Sequence, residues 1–490
     1  MAVSGDRLAR PALDLDARAG FDFVRAVVLL AIGALLVWLV LTLSFAAYFA
    51  DVDPNKALAL NSRQSSALLN LADKSLQAIA AEQEKRTAIA GPAGGAADRV
   101  SAFSNMAKAA AGTAVPEDAT QAPPVAAAPA PAGSTKPVPP PQFQQVRLWA
   151  EQALRQDPLN ARAMRMLGVV ADSEHDKDKA ARYMRTAARW SLRETYAVYW
   201  MLGRSFEKKD LANTVTYADI ALRTRSKMAP HIIPFLARIA ETPDGNREIK
   251  RLLGAHPPWR TQFLLGLPKW AADPRMPLDM MLAIKDTPNP PTQVEIAGYL
   301  NSLIARNLYD LAYYTWLQFL PPEQLGTLGL LFNGSFEIPA TDLPFDWSLP
   351  ASSGVTIQVV PKPGQLSERA LKIQFGQGRA ELGGLRQLVL LPQGNYKFEG
   401  SQKGELAGRR GLVWRITCAD SSAAIGSSPL FSGKVPDWTK FEFAFSVPPS
   451  CRAQYVQLVL DARSESEKLL TGTAWYDELR IARIQETAKP

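Results

Sequence analysis

The stretch AVVLLAIGALLVWLVLTLSFAAYFA, residues 26–50, decides how the chain is organised. It contains no charged residue and is long enough to cross a bilayer with some tilt. A cleaved signal peptide is the competing interpretation, but the run is too long for the apolar part of such a peptide, and Tyr48 interrupts the small-residue pattern of a cleavage site. The sequence therefore predicts a single uncleaved transmembrane helix.

The charges on either side of this helix predict its orientation. Only Lys56 and Arg63 follow it closely, whereas four arginines precede it, at Arg7, Arg10, Arg18 and Arg25. Positive residues near a span stay preferentially in the cytoplasm. Residues 1–25 are therefore predicted to be a cytoplasmic tail. In a bacterium, the body after Asp51 would lie in the periplasm, held at the inner membrane.

Composition limits the chemistry that the body performs. The 490 residues suggest two or three domains, and the net charge of +8 favours anionic partners. The histidines have no metal-ligand spacing, and the chain contains no nucleophile elbow, HExxH or P-loop. No sequence pattern pairs two carboxylates for glycosidic cleavage. We therefore expect a protein without catalytic activity and without a cofactor, and nucleic acid is excluded as a partner if the body lies outside the cytoplasm.

Helical periodicity follows the predicted span. Residues 51–90 are predicted to be the first helices of a helical domain, with one apolar stripe at Leu68, Leu69, Ala72, Leu76 and Ile79. Residues 91–141 are rich in alanine and proline and are predicted to be a disordered insertion. Residues 142–326 read as helical again.

A short pattern recurs within this second helical region. Leu167-Gly168 returns as Leu202-Gly203, and further matches are Tyr183 with Tyr217 and Ala187 with Ala221. These residues resemble tetratricopeptide repeats, which implies stacked helical hairpins that bind protein partners. An unrelated helical bundle remains the alternative. Residues 149–160 look like the second helix of a repeat whose first helix comes from residues 60–88, so the insertion would split one repeat.

One helix of this region is basic along one side. Positive side chains recur at three- and four-residue spacing, at Lys179, Arg182, Arg185, Arg189 and Arg193. The stripe predicts contact with an anionic polysaccharide, lipid headgroups or an acidic protein. A merely solvated surface is the alternative interpretation.

From residue 330 the periodicity changes from that of helices to that of strands. Short alternating segments are separated by glycine and proline turns, at residues 357–360, 370–375, 385–391, 396–399, 411–418, 440–447, 455–462 and 473–482. This spacing predicts a two-sheet sandwich or jelly roll. Cys418 ends one segment and Cys451 precedes another, so the two would form a disulfide if those strands are antiparallel neighbours in an oxidising compartment.

Five motifs run through residues 329–484 in order. They are LLFNGSFEIP, PFDW, LPQGNYKFEG, DWTKFEFAFSVP and GTAWYDELRIAR. This order resembles the galactose-binding-like jelly rolls used as carbohydrate-binding modules, and residues 485–490 follow as a short tail. The resemblance implies contact with a glycan, although the fold also serves as a protein-contact module. It further implies a structural calcium near Glu337 and Asp477, or a metal-free hydrogen-bonding role for both.

Strand alternation separates the predicted core from a candidate glycan site. Inward residues include Trp414, Ile416 and Cys418, which leaves Arg415, Tyr455 and Gln457 on the opposite face. These three would form a polar patch with one aromatic ring. The loop residues Phe345 and Trp347 are a second option, and ordinary outward side chains are the alternative. By the resemblance, Trp438 and Trp475 are assigned to packing.

Together these features predict a non-catalytic, membrane-anchored scaffold of bacterial envelope or extracellular polysaccharide assembly. The repeats would hold protein partners, and the jelly roll would contact the glycan. A pure protein scaffold without sugar binding is one alternative, and a membrane-tethered glycan-cleaving enzyme is another.

Overall fold

A computed structural model describes residues 15–89 and 141–484. The predicted insertion falls almost wholly outside these residues, as do positions 1–14 of the predicted N-terminal tail and the C-terminal tail at 485–490. The chain divides into two units, the first ending at Met228 and the second beginning at Ala229. This division falls inside the predicted helical region 142–326.

The first unit begins with the long helix α1 (Leu15–Val52). Its segment Arg25–Val52 has a mean hydropathy of 2.8, and none of its most apolar part is buried inside the protein. Within the described residues it is the one helix whose length and composition suit a membrane span. A signal sequence near the N-terminus has the same properties.

The end of α1 packs directly on the helices α2 (Pro54–Leu60) and α3 (Ser65–Ile89). Small side chains permit the close approach, because Ala50, Ala57 and Ala67 are buried together. The side-chain amide of Asn70 donates to the carbonyl oxygen of Ala50 at 2.7 Å. The last turn of α1 therefore packs with α2 and α3 as part of the same folded core.

In the described part of the first unit five further α-helices follow, and they are α4 (Pro141–Gln156), α5 (Ala161–Ser173), α6 (Lys177–Trp190), α7 (Thr195–Glu207) and α8 (Leu211–Thr224). Helices α3, α4 and α5 share one apolar core, which includes Leu69, Phe143 and Met166. Asp73 of α3 also accepts hydrogen bonds from Arg162 and Arg165 of α5. Helix α3 thus packs against helices that lie beyond residue 140, and the split repeat itself stays a prediction.

The second unit opens with seven helices in the described chain, and they are α9 (Ala229–Ala240), α10 (Pro243–Gly254), α11 (Arg260–Trp270), α12 (Met276–Lys285), α13 (Gln293–Ala305), α14 (Tyr309–Gln318) and α15 (Pro322–Leu325). Arg260 and Glu295 join α11 to α13 through a buried ion pair, with Nη2 and Oε2 3.0 Å apart. Glu295 also forms a capping box with Thr292 at the start of α13.

Nine strands follow, in two antiparallel sheets. They are β1 (Val355–Lys362), β2 (Gln365–Phe375), β3 (Arg386–Val389), β4 (Gly394–Gly408), β5 (Leu412–Cys418), β6 (Ala424–Ser427), β7 (Gly433–Val447), β8 (Gln454–Leu460) and β9 (Leu470–Arg483). One sheet has the order β1-β2-β9-β4-β7 and the other β3-β8-β5-β6. The predicted β-sandwich is confirmed, and β6 is the strand that the sequence analysis missed.

The core of the sandwich lies between the two sheets. It includes Trp414, Ile416, Val456 and Leu458, so the predicted inward faces of β5 and β8 are confirmed. The two strands are antiparallel neighbours, with Cys418 opposite Gln454. Cys418 and Cys451 form a disulfide with their Cα atoms 5.4 Å apart, as the sequence predicted.

The last helices of the second unit pack on the sandwich. The ring of Trp316 on α14 lies 5.1 Å from that of Phe332 and 5.6 Å from that of Phe345. At the start of the same helix, the Tyr309 hydroxyl donates to Asp420 Oδ1 at 2.7 Å. Part of the sandwich surface is therefore covered by helix α14.

Candidate functional site

The loop option for a glycan site is wrong. Trp347 is 0% exposed and Phe345 is 2% exposed, so neither ring can meet a sugar. Trp347 packs against Phe336 and Trp414 in the sandwich, and its indole N–H donates to the carbonyl oxygen of Asn333. Phe345 packs against α14 as described above. The segment before β1 thus contributes to the core, although its sequence resembles a surface loop.

Tyr455 lies on the outer face of the four-stranded sheet, as its alternation predicted. Its ring is half-buried, and the guanidinium of Arg386 on the neighbouring strand lies 4.4 Å from the ring centre. On β3, Leu388 lies opposite Tyr455 and is buried. One face of the Tyr455 ring is therefore covered by a cation of this protein.

Gln457 and Arg415 lie side by side on this face, in register with each other. The Gln457 amide donates to the Thr417 hydroxyl at 3.4 Å, and Arg415 donates to Asp461 Oδ1 at 3.4 Å. The structure brings the predicted patch together. However, its polar groups already have partners within the protein, and the patch leaves few donors for a ligand.

The residues matched to a structural calcium do not fit that ion. The ammonium of Lys362 lies 2.7 Å from Asp477 Oδ2 and already supplies a positive charge to this carboxylate. Glu337 accepts a hydrogen bond from the backbone N–H of Arg369. Across residues 15–89 and 141–484, no three His, Cys, Asp or Glu side chains are grouped so as to hold a metal. These contacts agree with the metal-free alternative for both carboxylates.

Lys362 forms a small polar cluster with two carboxylates. Besides Asp477, it contacts Glu368 Oε2 at 3.1 Å, and it lies 5.0 Å from the centre of the Trp438 ring. Its side chain is 8% exposed and that of Asp477 is 4% exposed. Burial alone would lower the pKa of Lys362, but the hydrogen bonds to Asp477 and Glu368 raise it above its usual value.

A groove of about 530 Å³ lies on the outer face of the five-stranded sheet, around Trp475. The neighbours of this residue in β9, Ala474 and Tyr476, point into the core, so its own side chain points outward and is half-buried. In the ladder, Lys372 of β2 and Lys403 of β4 lie opposite Trp475 on its two sides. Trp475 and Lys403 line the groove, and Lys372 lies beside Trp475 on the neighbouring strand without lining the groove.

Two glycines shape the floor of this groove. Gly404 and Gly472 have φ values of +141° and +115°, in the region that favours glycine. A Cβ at Gly404 would lie 2.1 Å from the Thr473 carbonyl oxygen, and one at Gly472 would lie 2.0 Å from that of Glu405. Strands β4 and β9 can therefore approach closely, with no side chain from either glycine to fill the space.

Strand β7 forms a wall of the groove. Its ladder with β4 is irregular, because Thr439 lies opposite Gln402 whereas Val435 lies opposite Gly404. The residues between Val435 and Thr439 are therefore left out of the pairing, as in a β-bulge. Val435 and Pro436 line the groove as a result. The bulge raises an apolar edge beside Trp475.

A second groove, of about 860 Å³, is lined by several carboxylates but offers no exposed ring. Its aromatic residue, Phe441, is 8% exposed. The hydrogen bond from Lys397 lowers the pKa of Glu399 below its usual value. A general acid for glycosidic cleavage needs a raised pKa instead. This groove therefore suits neither sugar stacking nor acid catalysis by Glu399.

The basic stripe is shorter than the spacing predicted. Helix α6 ends at Trp190, so Lys179, Arg182, Arg185 and Arg189 lie on it, whereas Arg193 lies in the turn before α7. Arg182, Arg185, Arg189 and Arg193 are exposed. Trp190, at the end of the helix, is 38% exposed. The inclusion of Arg193 in one helical stripe was wrong.

Comparison with known proteins gives matches among solved structures. No family model and no curated protein matches the chain. A CBM4 structure is 13% identical, covers 31% of this chain and 99% of that chain, and has a TM-score of 0.24. TmCBM61 in complex with β-1,4-galactotriose is 19% identical, covers 32% and 99%, and has a TM-score of 0.22. A family 16 carbohydrate-binding module is 17% identical, covers 32% and 100%, and has a TM-score of 0.21.

Proposed function

We propose that the β-sandwich binds a glycan chain in the groove around Trp475 and performs no catalysis. The observation that carries this proposal is the half-buried Trp475 ring, directed outward in a groove of about 530 Å³ among polar side chains. A pyranose ring presents a flat C–H surface that packs on an indole, and its hydroxyls need donors and acceptors close by. The groove supplies these from Thr471, Thr473, Lys403 and Glu405.

The other surfaces of the sandwich suit a glycan less well. At the predicted patch, the Arg386 guanidinium lies 4.4 Å from the centre of the Tyr455 ring, closer than the 5.6 Å that separates the Lys372 ammonium from the Trp475 ring. Gln457 and Arg415 of the patch are engaged within the protein. The carboxylate-lined groove has no exposed ring. Only the Trp475 groove combines an accessible ring with open space among the grooves described above.

The remainder of the chain would place this glycan site at a membrane. In this proposal α1 is an uncleaved span, its N-terminus is cytoplasmic and the body is periplasmic. The Cys418–Cys451 disulfide supports an oxidising compartment. The helical hairpins would act as tetratricopeptide-like repeats that bind protein partners of an envelope or polysaccharide-assembly complex. The exposed arginines of α6 and Trp190 form a surface suited to an acidic partner.

Titration calorimetry tests the glycan site with the full chain, purified in detergent. The probes are the secreted and surface polysaccharides of the host, with Trp475→Ala and Tyr455→Ala as matched variants. Each removes one outward, half-buried ring from the same sandwich. We expect saturable binding by the wild type, loss of binding in Trp475→Ala, and binding close to that of the wild type in Tyr455→Ala.

The outcomes separate the alternatives. If Tyr455→Ala abolishes binding and Trp475→Ala does not, the sandwich binds glycan at the four-stranded sheet and the groove assignment is wrong. If the folded wild type binds no fraction, the glycan proposal fails and a pure protein scaffold remains. Release of reducing ends from a bound polysaccharide would contradict the non-catalytic role.

A further inference from the structure

We propose that the groove selects an anionic glycan whose sugars carry carboxylate groups. This inference rests on the proposed glycan site and adds the class of its ligand. The observation behind it is the row Lys372–Trp475–Lys403, which runs across the neighbouring strands β2, β9 and β4. Two ammonium groups thus flank the one ring on which a sugar can stack.

The two lysines of this row have no acidic partner. Within the described residues, neither Lys372 nor Lys403 forms an ion pair, and both side chains are only half-buried. The ammonium of Lys372 lies 5.6 Å from the centre of the Trp475 ring. A cation beside an aromatic face is held by the ring but keeps its charge free for an incoming anion.

The single carboxylate among the groove residues is already neutralised. Glu405 lies 3.7 Å from the Lys434 ammonium, which also lines the groove. Ion pairs of this exposed kind cancel charge without contributing much energy. With Glu405 paired to Lys434, the groove keeps the positive charge of Lys403, and Lys372 adds a second positive charge beside the Trp475 ring.

The position of the charges fits a carboxylated sugar better than a small free anion. A pyranose stacked on Trp475 would project its ring substituents sideways, along the sheet towards β2 and β4. Neighbouring strands are about 4.8 Å apart, so the lysine backbones lie about 10 Å apart with the ring between them. A carboxylate on the stacked sugar, or on the next sugar in the chain, comes within reach of one of these flexible side chains.

Matched pairs of oligosaccharides test the inference on the full chain in detergent. The probes are cello-oligosaccharides with and without carboxylation at C6, and oligogalacturonates with and without methyl esterification. Within each pair the backbone is constant and only the charge differs. Wild type, Lys372→Gln, Lys403→Gln and Trp475→Ala are titrated at low and at high salt. Lys397→Gln is the control, because Lys397 is on the same sheet but neither lines the groove nor lies opposite Trp475.

We expect the charged member of at least one pair to bind about tenfold more tightly than its neutral partner, with the advantage reduced by salt. Lys372→Gln and Lys403→Gln should each remove much of that advantage and change binding of the neutral probe much less, because glutamine keeps a hydrogen-bond donor but carries no charge. Lys397→Gln should change neither.

Equal binding of charged and neutral members, lost in Trp475→Ala, would overturn the anionic selectivity and leave the proposed glycan site intact. If the folded wild type binds none of these probes, the selectivity for carboxylated chains is wrong. The titrations with the host polysaccharides then show whether the groove binds a glycan at all. If Lys372→Gln and Lys403→Gln both still bind the charged member of a pair more tightly than the neutral one, the two lysines do not select the anionic glycan.

Discussion

Replacing Lys362 by methionine tests the polar cluster at the end of β1 most directly. Methionine keeps an unbranched stem of similar length and removes the charge. Lys362 is 8% exposed and contacts Asp477, which is 4% exposed, at 2.7 Å. The substitution therefore leaves a buried carboxylate whose nearest compensating charge has gone.

The size of the effect follows from this burial. Breaking a buried ion pair from one side costs about 3–5 kcal/mol, because the remaining charge stays desolvated. For a domain of this size class, each kcal/mol lowers the melting temperature by about 2–4 °C. We therefore expect the unfolding midpoint of the sandwich to fall by about 6–20 °C.

Thermal unfolding of the full chain in detergent, followed by near-UV circular dichroism, measures this shift. Lys397→Met is the matched control, since Lys397 also contacts two glutamates on the same sheet but is 37% exposed. We expect little change from that variant. The double variant Lys362→Met with Asp477→Asn should recover much of the loss, because it removes the uncompensated charge.

The pH dependence adds a second readout. The two carboxylates raise the pKa of Lys362 above its usual 10.5, although burial opposes the shift. A group with a raised pKa in the folded state contributes stability fully below its unfolded pKa and loses it as the pH rises through the folded pKa. The difference between wild type and Lys362→Met should be constant from pH 6 to about 10 and shrink above that.

Two results would refute the reasoning about this cluster. One is a midpoint for Lys362→Met no lower than that of Lys397→Met. The other is a wild-type midpoint that rises with added calcium and falls with a chelator, since the carboxylates would then hold a metal despite the lysine. We expect wild-type unfolding to be the same in both solutions.

Two further predictions concern the helices. Glu295→Gln should cost about 3–5 kcal/mol at pH 7, because Arg260 would stay buried without its partner. Burial opposes the shift, but hydrogen bonds hold the pKa of Glu295 below its usual 4.5, so the wild-type advantage should disappear as the pH falls below 4 in thermal melts. Deleting residues 95–140 should leave cooperative unfolding intact, whereas deleting 60–90 should abolish it by removing the α3 side of the core.

The short alternating segments and the glycine and proline turns between them were enough to predict the sandwich. Eight of the nine strands of the described residues were predicted, and the paired cysteines followed from the neighbouring strands that they flank. Strand β6 was missed because Ala424–Ser427 is only four residues long, has one large apolar side chain, Ile425, and lies at the edge of its sheet. The packing of α14 on the sandwich could not be predicted, because aromatic residues such as Trp316 fit a helical core equally well.

The segment holding Phe345 and Trp347 shows why local sequence misled the site prediction. Proline and aspartate around these aromatics are typical of an exposed loop. In the fold, Asp346 is itself buried, and it accepts hydrogen bonds from Thr341 and from the Trp347 backbone. These contacts satisfy the polar groups locally and let both rings pack inward. The alternation of apolar and polar residues identifies the inward side chains of a strand, but it gives no information about a segment that is not a strand.

Phe345 and Trp347 were predicted to be exposed and are buried, whereas Trp475 was predicted to pack and its side chain points outward. Alternation in β9 offers two faces, one with Ala474 and Tyr476 and the other with Trp475 and Asp477, and the resemblance to the jelly rolls assigned Trp475 to packing. The core already holds Trp414, Phe431 and Phe441 around Tyr476, so an alanine at position 474 fits where an indole would not. Beyond Asp477 the ladder with β4 is irregular, and Leu479 and Ile481 then return to the core. The strand thus buries aliphatic residues on both sides of the irregularity and leaves the Trp475 side chain outward in the groove, which is the observation on which the proposed glycan site rests.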